Sequence, residues 1–174
     1  MENTTTSVTP SAVAIRYGLL AGLASVIISF GLNMAELEQT PAKWLGTVIL
    51  ILAIVLAHKF FKQQNGGFLS YGQGLSIGTI LSVVVGIISA AFSYIYIKMI
   101  DPEFVNRIMD KTRSDMEARG NMSDAQIEQA MTWTAKFMDG PLMVGTVLFM
   151  IVLTGFLASL LISAITKNPR PEFE

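Results

Sequence analysis

Serine is the residue type in the long apolar stretches of this chain whose side chain could do chemistry. A hydroxyl at membrane depth can line a path for a solute, hydrogen-bond to a neighbouring helix or, beside a general base, act as a nucleophile. We find no histidine or lysine at membrane depth to act as that base, so a nucleophilic role is not expected. Interhelical hydrogen bonding is the favoured interpretation, and a solute path is the alternative. The serines concerned are Ser25, Ser29, Ser82, Ser89, Ser93, Ser159 and Ser163.

Residues that could bind a metal are few. His58 is the single histidine, and Lys59 follows it at the end of an apolar run. One histidine without cysteine or a nearby carboxylate does not make a metal site, so we interpret His58 as a residue of the membrane interface. Methionines can capture a soft metal, but helical spacing here favours packing between two helices. These methionines are Met109, Met116, Met122, Met131 and Met138.

A glycine pattern and the position of the acidic residues argue against two further functions. Gly72-x-Gly74-x-x-x-Gly78 has the wrong spacing for a phosphate loop, no strand precedes it and no Lys-Ser/Thr pair follows. No Asp or Glu lies within an apolar run, whereas proton- and ion-coupled transporters usually keep one near the midplane. We therefore predict no catalytic, cofactor-binding or metal-ligating residue, no cofactor and no enzymatic activity.

Composition indicates that lipid is the solvent of this chain. Of its 174 residues, 52% are hydrophobic and only 14% are charged, whereas soluble domains carry about 25% charged residues. The net charge of −1 argues against nucleic acid as a partner, because there is no basic excess to displace counterions. Membrane lipids are the expected partners.

Hydropathy divides the chain into spans and polar segments. We predict an all-α fold: an integral membrane four-helix bundle with an extramembrane helical hairpin between the third and fourth spans. A disordered lead covers 1–11, the membrane domain 12–166 and a polar tail 167–174. Within the membrane domain, the spans cover about 12–32, 42–61, 70–99 and 142–166, and the polar insert covers 102–138.

Small residues recur at intervals of four in three of the spans. The third span carries them at Gly74, Gly78, Ser82, Gly86 and Ala90. The last span repeats the spacing at Gly155, Ser159 and Ser163, and the first has Gly18 and Gly22. Such a ridge lets another helix backbone approach closely. We therefore predict that the spans pack through these residues.

The polar insert has the signals of two helices. Asp101 before Pro102 predicts an N-cap, and Ser123-x-x-Gln126 predicts a capping box at the second helix. Opposite charges four apart, among them Glu103 with Arg107 and Arg113 with Glu117, favour exposed helical surface.

Orientation follows from Lys and Arg near the span ends. A raw count favours the insert in the cytoplasm, but its basic residues lie among eight acids. The turn 59–69 is basic and has no acid. We expect both termini in the cytoplasm and the hairpin outside.

The segment Phe68-Leu-Ser-Tyr-Gly-Gln-Gly-Leu75, with Tyr94-Ile-Tyr96 and Asp101-Pro102-Glu103-Phe104 further on, resembles a family pattern. It is similar to the bacterial membrane family catalogued as domain of unknown function 4199. Gly74 stands where the family pattern has a small residue, commonly Ala, which is a mild departure from that pattern. The resemblance covers about residues 12–166 and implies a multi-pass inner-membrane protein of bacteria, with no activity to transfer.

Two functions follow as hypotheses. The first is a non-enzymatic membrane protein with an interaction or assembly role through its hairpin, with a protein partner or by self-association. The alternative is a small oligomeric channel or solute facilitator. A small-molecule ligand is not indicated by any motif.

Overall fold

A computed structural model describes residues 8–35, 37 and 40–171 of the chain. Residues 1–7 of the predicted lead, Glu36 and Glu38 of the first loop, and the end of the tail lie outside these residues. The described part is all-α and contains no β-strand, which confirms the predicted fold class. Its helices are α1 (Pro10–Met34), α2 (Leu45–Gln64), α3 (Tyr71–Ile95), α4 (Phe104–Arg119), α5 (Asp124–Phe137) and α6 (Gly140–Thr166).

Among the described residues, four helical segments are long and apolar enough to cross a membrane. They cover Pro10–Met34, Pro41–Gln64, Tyr71–Ile100 and Gly140–Thr166, because a short 3₁₀ turn (Pro41–Trp44) precedes α2 and a π-helical turn (Tyr96–Ile100) extends α3. With 24 to 30 residues each, they reach about 36–45 Å at the usual helical rise, and a hydrocarbon core is about 30 Å thick. The chain is a multi-pass membrane protein.

The start of α1 lies two residues before the predicted start of the first span. The Thr9 hydroxyl accepts a hydrogen bond from the Ala12 N–H, and Pro10 occupies the first turn, where its missing N–H is not needed. Pro10 therefore begins the helix instead of closing the lead.

The fold divides into two compact units. Unit 1 comprises residues 1–89 and 149–174, and unit 2 comprises residues 90–148, so the boundaries fall inside α3 and α6. The core of unit 1 is mostly aliphatic and includes the Phe61 ring. Its most deeply buried members are Val13, Ala14, Ile54, Ala57, Phe61, Leu69, Ile77 and Leu81.

Unit 2 contains α4 and α5, joined by a turn at Gly120, whose φ of +62° suits glycine. The capping box predicted at α5 is confirmed, since the Ser123 hydroxyl accepts from the Gln126 N–H and the Gln126 side chain accepts from the Ser123 N–H. Arg113 of α4 pairs with Glu128 of α5, where the sequence analysis expected Glu117 as its partner. That the two helices lie outside the membrane stays a prediction.

The N-cap position of α4 is Glu103 and not the predicted Asp101, although Asp101 does accept a hydrogen bond from the Phe104 N–H at the start of the helix. Helix α4 begins at Phe104, after a turn at Pro102 and Glu103. The Asp101 carboxylate is bound by Arg107, at 2.6 Å from one guanidinium nitrogen, where Glu103 was the predicted partner of that arginine. The Asp101 carboxylate can accept from Arg107 and from the backbone N–H of Phe104 at the same time.

Candidate functional site

The small-residue ridges of α3 and α6 face each other in unit 1. A Cβ atom placed on Gly78 would lie 2.7 Å from Cβ of Ser159, and one on Gly155 would lie 2.5 Å from Cβ of Ser82. Both separations are shorter than real Cβ contacts, so neither glycine can be replaced without movement. The contact pairs run in opposite directions along the two helices, which are therefore antiparallel here with a register of four residues. The prediction that Gly78 and Ser82 form a helix contact is confirmed.

We call this contact between α3 and α6 the seam. The hydroxyls of its buried serines Ser82 and Ser159 do not form hydrogen bonds from one helix to the other. Ser82 Oγ donates to the Gly78 carbonyl at 2.7 Å, and Ser159 Oγ donates to the Gly155 carbonyl at 2.6 Å, each within its own helix. For these two residues the predicted interhelical hydrogen bond is wrong. Their contribution to the contact is shape, because a serine on one helix fills the space above a glycine on the other.

The remaining serines divide into two groups. Ser29, Ser89 and Ser93 are half-buried. Ser25 and Ser163 are buried, and their hydroxyls have no hydrogen-bond partner among the described residues.

The glycines of α1 pack differently from those of α3. A Cβ on Gly18 would lie 2.8 Å from Cβ of Val84, and one on Gly22 would lie 2.6 Å from Cδ1 of Ile88. Branched side chains of α3 thus fill the space over the α1 glycines. The first span packs through its small pair as predicted, with bulky partners opposite.

His58 lies inside the protein, and its predicted role as an interface residue is wrong. Its side chain is fully buried. Nε2 lies 2.9 Å from the Gly74 carbonyl oxygen of α3, and Nδ1 lies 2.9 Å from Oγ1 of Thr166 at the end of α6. One imidazole thus joins three membrane-spanning helices. The missed signal is spacing, because His58 continues the buried stripe of Leu50 and Ile54 at intervals of four.

The partners of His58 define the hydrogens on its ring. A carbonyl oxygen can only accept, so Nε2 carries the hydrogen that is donated to Gly74. Thr166 Oγ1 also lies 2.8 Å from the Ile162 carbonyl oxygen, to which its hydroxyl can donate. With a neutral ring, the threonine hydrogen points to Nδ1, and with a charged ring it points to Ile162. Either arrangement satisfies both ring nitrogens.

The geometry does not form a serine–histidine catalytic pair. A Cβ atom on Gly74 would lie 2.8 Å from Ser163 Oγ and 3.2 Å from Cε1 of His58. The serine hydroxyl and a carbon of the imidazole ring therefore both lie next to Gly74. Both ring nitrogens are bonded to Gly74 and Thr166. A nucleophile needs a hydrogen bond to its base, and this pair lacks one.

The ends of α2 and α6 are tied together on the side of the C-terminal tail. Leu69 and Asn168 exchange two backbone hydrogen bonds, of 2.9 Å and 2.7 Å. The Asn168 amide donates to the Gly67 carbonyl at 2.9 Å, and Lys62 Nζ donates to the Thr166 carbonyl at 3.2 Å. We call this set of bonds the terminal clasp.

The Ser70–Gln73 segment, which carries the family resemblance, is a capping box at the start of α3. The Ser70 hydroxyl accepts from the Gln73 N–H at 3.2 Å, and the Gln73 side chain accepts from the Ser70 N–H at 2.9 Å. Two N–H groups that the helix leaves unpaired are satisfied in this way. This capping box was not predicted, although Ser70 and Gln73 have the same Ser-x-x-Gln spacing that predicts the box at Ser123.

The second part of the resemblance, at Asp101, is a small polar cluster. The Asp101 carboxylate accepts from Arg107 and, at 3.3 Å, from the hydroxyl of the buried Tyr96. The hydrogen bond from Arg107 is the main cause that holds the pKa of Asp101 below its usual value. The Tyr96 ring stands edge-on to Phe104, 5.7 Å between centroids, so the cluster fixes the turn between α3 and α4.

The other residues considered from the sequence as metal ligands or as a phosphate loop do not form such a site in the described structure. Among the described residues, no three His, Cys, Asp or Glu side chains lie together as metal ligands. Gly72 and Gly74 lie in or next to the first turn of a helix rather than in a loop, so they form no phosphate loop. Of the five methionines, Met131 is buried and the others are half-buried or exposed.

Four long apolar helices, with glycine–serine packing between α3 and α6, define a multi-pass α-helical membrane protein. The chain belongs to the family described as "Protein of unknown function (DUF4199)", whose model matches residues 16–168. The match includes all but the start of the first span, and it confirms the resemblance seen in the sequence. Searches of curated proteins and of solved structures found no significant match.

Proposed function

We propose that this chain is a non-enzymatic protein of the bacterial inner membrane, in which the helices form a four-helix bundle and α4 and α5 bind a protein partner or a second copy. The observation that carries the proposal is an exposed aromatic pair on α5. Trp133 and Phe137, one helical turn apart, are 53% and 51% exposed. Large aromatic side chains exposed together are typical of binding surfaces.

The two faces of α5 have different surroundings. Ile127 and Met131 are buried, whereas Trp133, Lys136 and Phe137 are exposed. The ammonium of Lys136 lies 4.9 Å from the centroid of the Trp133 ring, a cation–π contact that orders the ring in place. An ordered aromatic side chain loses little conformational entropy on binding. This supports α5 as the face that meets a partner.

The alternative, an oligomeric channel or solute facilitator, has less support from the serines. Ser82 and Ser159 use their hydroxyls on their own helices, inside a close contact that leaves no space for a solute. Flux measurements in proteoliposomes distinguish the two functions. Flux in the wild type that is lost in a folded Ser29→Leu variant would establish the alternative.

The direct experiment removes the binding face. Trp133→Ala/Phe137→Ala should abolish co-purification of the partner after crosslinking in cells, or self-association measured by mass in nanodiscs. Gln129→Ala, one turn before Trp133 and also exposed, is the matched control and should leave both unchanged. Deletion of residues 104–137, which contain all of α4 and α5, should have the same effect as the double variant. Unchanged association in both would contradict the proposal.

We also propose cytoplasmic termini. The chain has no cysteine, so single cysteines report sidedness without background. Lys111→Cys, at an exposed position of α4 away from the Arg113–Glu128 pair, should react with an impermeant thiol reagent in intact cells. Gln64→Cys should react only after permeabilisation. The reverse pattern would place the termini outside.

A further inference from the structure

A groove of about 550 Å³ lies between the ends of α2 and α6 in unit 1. Val55, Lys59 and Gln63 line it at intervals of four residues, so they form one stripe along α2. Lys62 stands beside this stripe, and Ile165 is the apolar side chain that α6 contributes. We call it the lysine groove. It combines two ammonium groups near the end of a span with an apolar surface one turn deeper.

The positive charge of the lysine groove is not neutralised by the described residues. Lys59 has no hydrogen-bond or ion-pair partner among them. Lys62 donates one of its three hydrogens to the Thr166 carbonyl and has two left to donate. The part of unit 1 that the structure describes contains no Asp or Glu, because all described acids lie between Asp101 and Asp139. The described part of the groove is therefore electropositive, which favours an anion as its ligand.

The apolar part of the groove narrows the choice of anion. Val55 is 39% exposed and Ile165 is 83% exposed, so a bound molecule can lie on both. A soluble phosphate would meet the lysines but leave these side chains uncovered. A phospholipid covers both regions, since its phosphodiester oxygens accept charge-assisted hydrogen bonds and its acyl chain follows the helix surface.

We propose that the lysine groove is a binding site for one anionic phospholipid, with its headgroup phosphate on Lys59 and Lys62 and an acyl chain on Val55 and Ile165. Basic pockets between membrane-spanning helices bind such headgroups. A zwitterionic lipid brings its own cation, which competes with the lysines for the phosphate. The site therefore discriminates by headgroup charge. This inference does not depend on the proposed role of α5.

Native mass spectrometry of the full-length protein, titrated with phosphatidylglycerol or phosphatidylcholine, tests the site. The wild type should retain phosphatidylglycerol in preference to phosphatidylcholine. Lys59→Gln/Lys62→Gln should weaken phosphatidylglycerol binding about 30-fold, about five-fold per lysine, and leave phosphatidylcholine unchanged. Lys43→Gln/Lys167→Gln removes the same charge from exposed lysines outside the groove and should change neither.

Lys59→Gln alone keeps the test decisive if loss of Lys62 disturbs the terminal clasp, because Lys59 makes no contact that the fold needs. Equal retention of the two lipids by the wild type would overturn the site, as would equal losses in the two double variants. A third arm adds inorganic phosphate to protein stripped of lipid. Phosphate uptake that displaces phosphatidylglycerol would assign the lysines to a soluble anion and overturn the lipid assignment.

Discussion

Ser159 of α6 occupies the space above the Cα atom of Gly78 in α3, so closely that no side chain fits on the glycine. One helical turn further along α3 the roles reverse, and Ser82 fills the space above Gly155 of α6. Each helix therefore supplies both a glycine and a serine, and each serine covers the glycine of the other helix. Close backbone approach of this kind is a main source of helix association in lipid, where apolar side chains have no water to escape.

Gly78→Ala should destabilise the protein by about 1–3 kcal/mol, because the added methyl group overlaps Ser159 and the helices must separate. The measurement is the unfolding free energy in a lipid or mild detergent background. Gly72→Ala is the matched control on α3, since nothing lies within 4 Å of the added atom. That variant should be neutral or slightly stabilising, by up to about 1 kcal/mol. Equal effects at the two glycines would show that the seam does not hold the helices together.

His58→Leu and Thr166→Val should each destabilise the protein, since each removes one side of a buried hydrogen bond. A double-mutant cycle isolates the bond itself, and we expect a coupling of about 0.6–1.7 kcal/mol, the range for polar contacts in membranes. His58→Leu paired with Thr154→Val, another threonine of α6 without a hydrogen bond to His58, is the reference cycle. A coupling near zero for the Thr166 pair would mean that the bond contributes nothing to stability.

Ser70→Ala should fray the first turn of α3 and reduce stability by about 0.5–2 kcal/mol, because an N–H at the helix start loses its acceptor. Amide hydrogen exchange at residues 71–74 should rise. Ser123→Ala, which breaks the corresponding box at α5, should raise exchange at residues 124–127 and leave α3 unchanged. Increased exchange at both helices in either variant would indicate a general loss of structure rather than a cap.

The Asp101–Arg107 contact should make the turn between α3 and α4 sensitive to acid. Because the pKa of Asp101 is lowered in the folded protein, the contact contributes stability at pH values above the usual Asp pKa of about 3.9, and that contribution is lost as the pH falls through the lowered value. The carboxyl ¹³C shift of Asp101 reports the titration directly. Its midpoint should rise in Arg107→Gln and stay in place in Arg113→Gln. An unchanged midpoint in the first variant would rule out Arg107 as the main cause.

The spans and their ridges could be predicted because lipid imposes simple requirements. A helix that crosses it needs about 20 apolar residues, and close packing there needs small side chains at one face. Gly78, Ser82 and Gly155 satisfied the second requirement by spacing alone. The ion pairs of α4 could not be predicted in this way, because the surroundings of exposed charges do not restrict their partners to one spacing. Their in-helix spacing predicted Glu103 and Glu117 as partners, while the turn before α4 brought Asp101 to Arg107 and the packing of α5 on α4 brought Glu128 to Arg113.

His58 shows which kind of sequence signal was used wrongly. Its neighbour Lys59 suggested an interface, but chain adjacency places two residues of a helix on different faces. The interval of four from Ile54 places His58 on the buried face. The partners Gly74 and Thr166, distant in the chain, could not be predicted from any local pattern.

The terminal clasp joins residue 69 to residue 168, which follows the second and third spans, the polar insert and the last span in the chain. During synthesis the first three spans must therefore be inserted while the turn that joins the second and third still lacks its hydrogen-bond partner. That turn can make these hydrogen bonds only after Asn168 has been synthesised. A chain that stops before Asn168 would carry all four spans and still leave the Gly67 and Leu69 backbone groups without these partners.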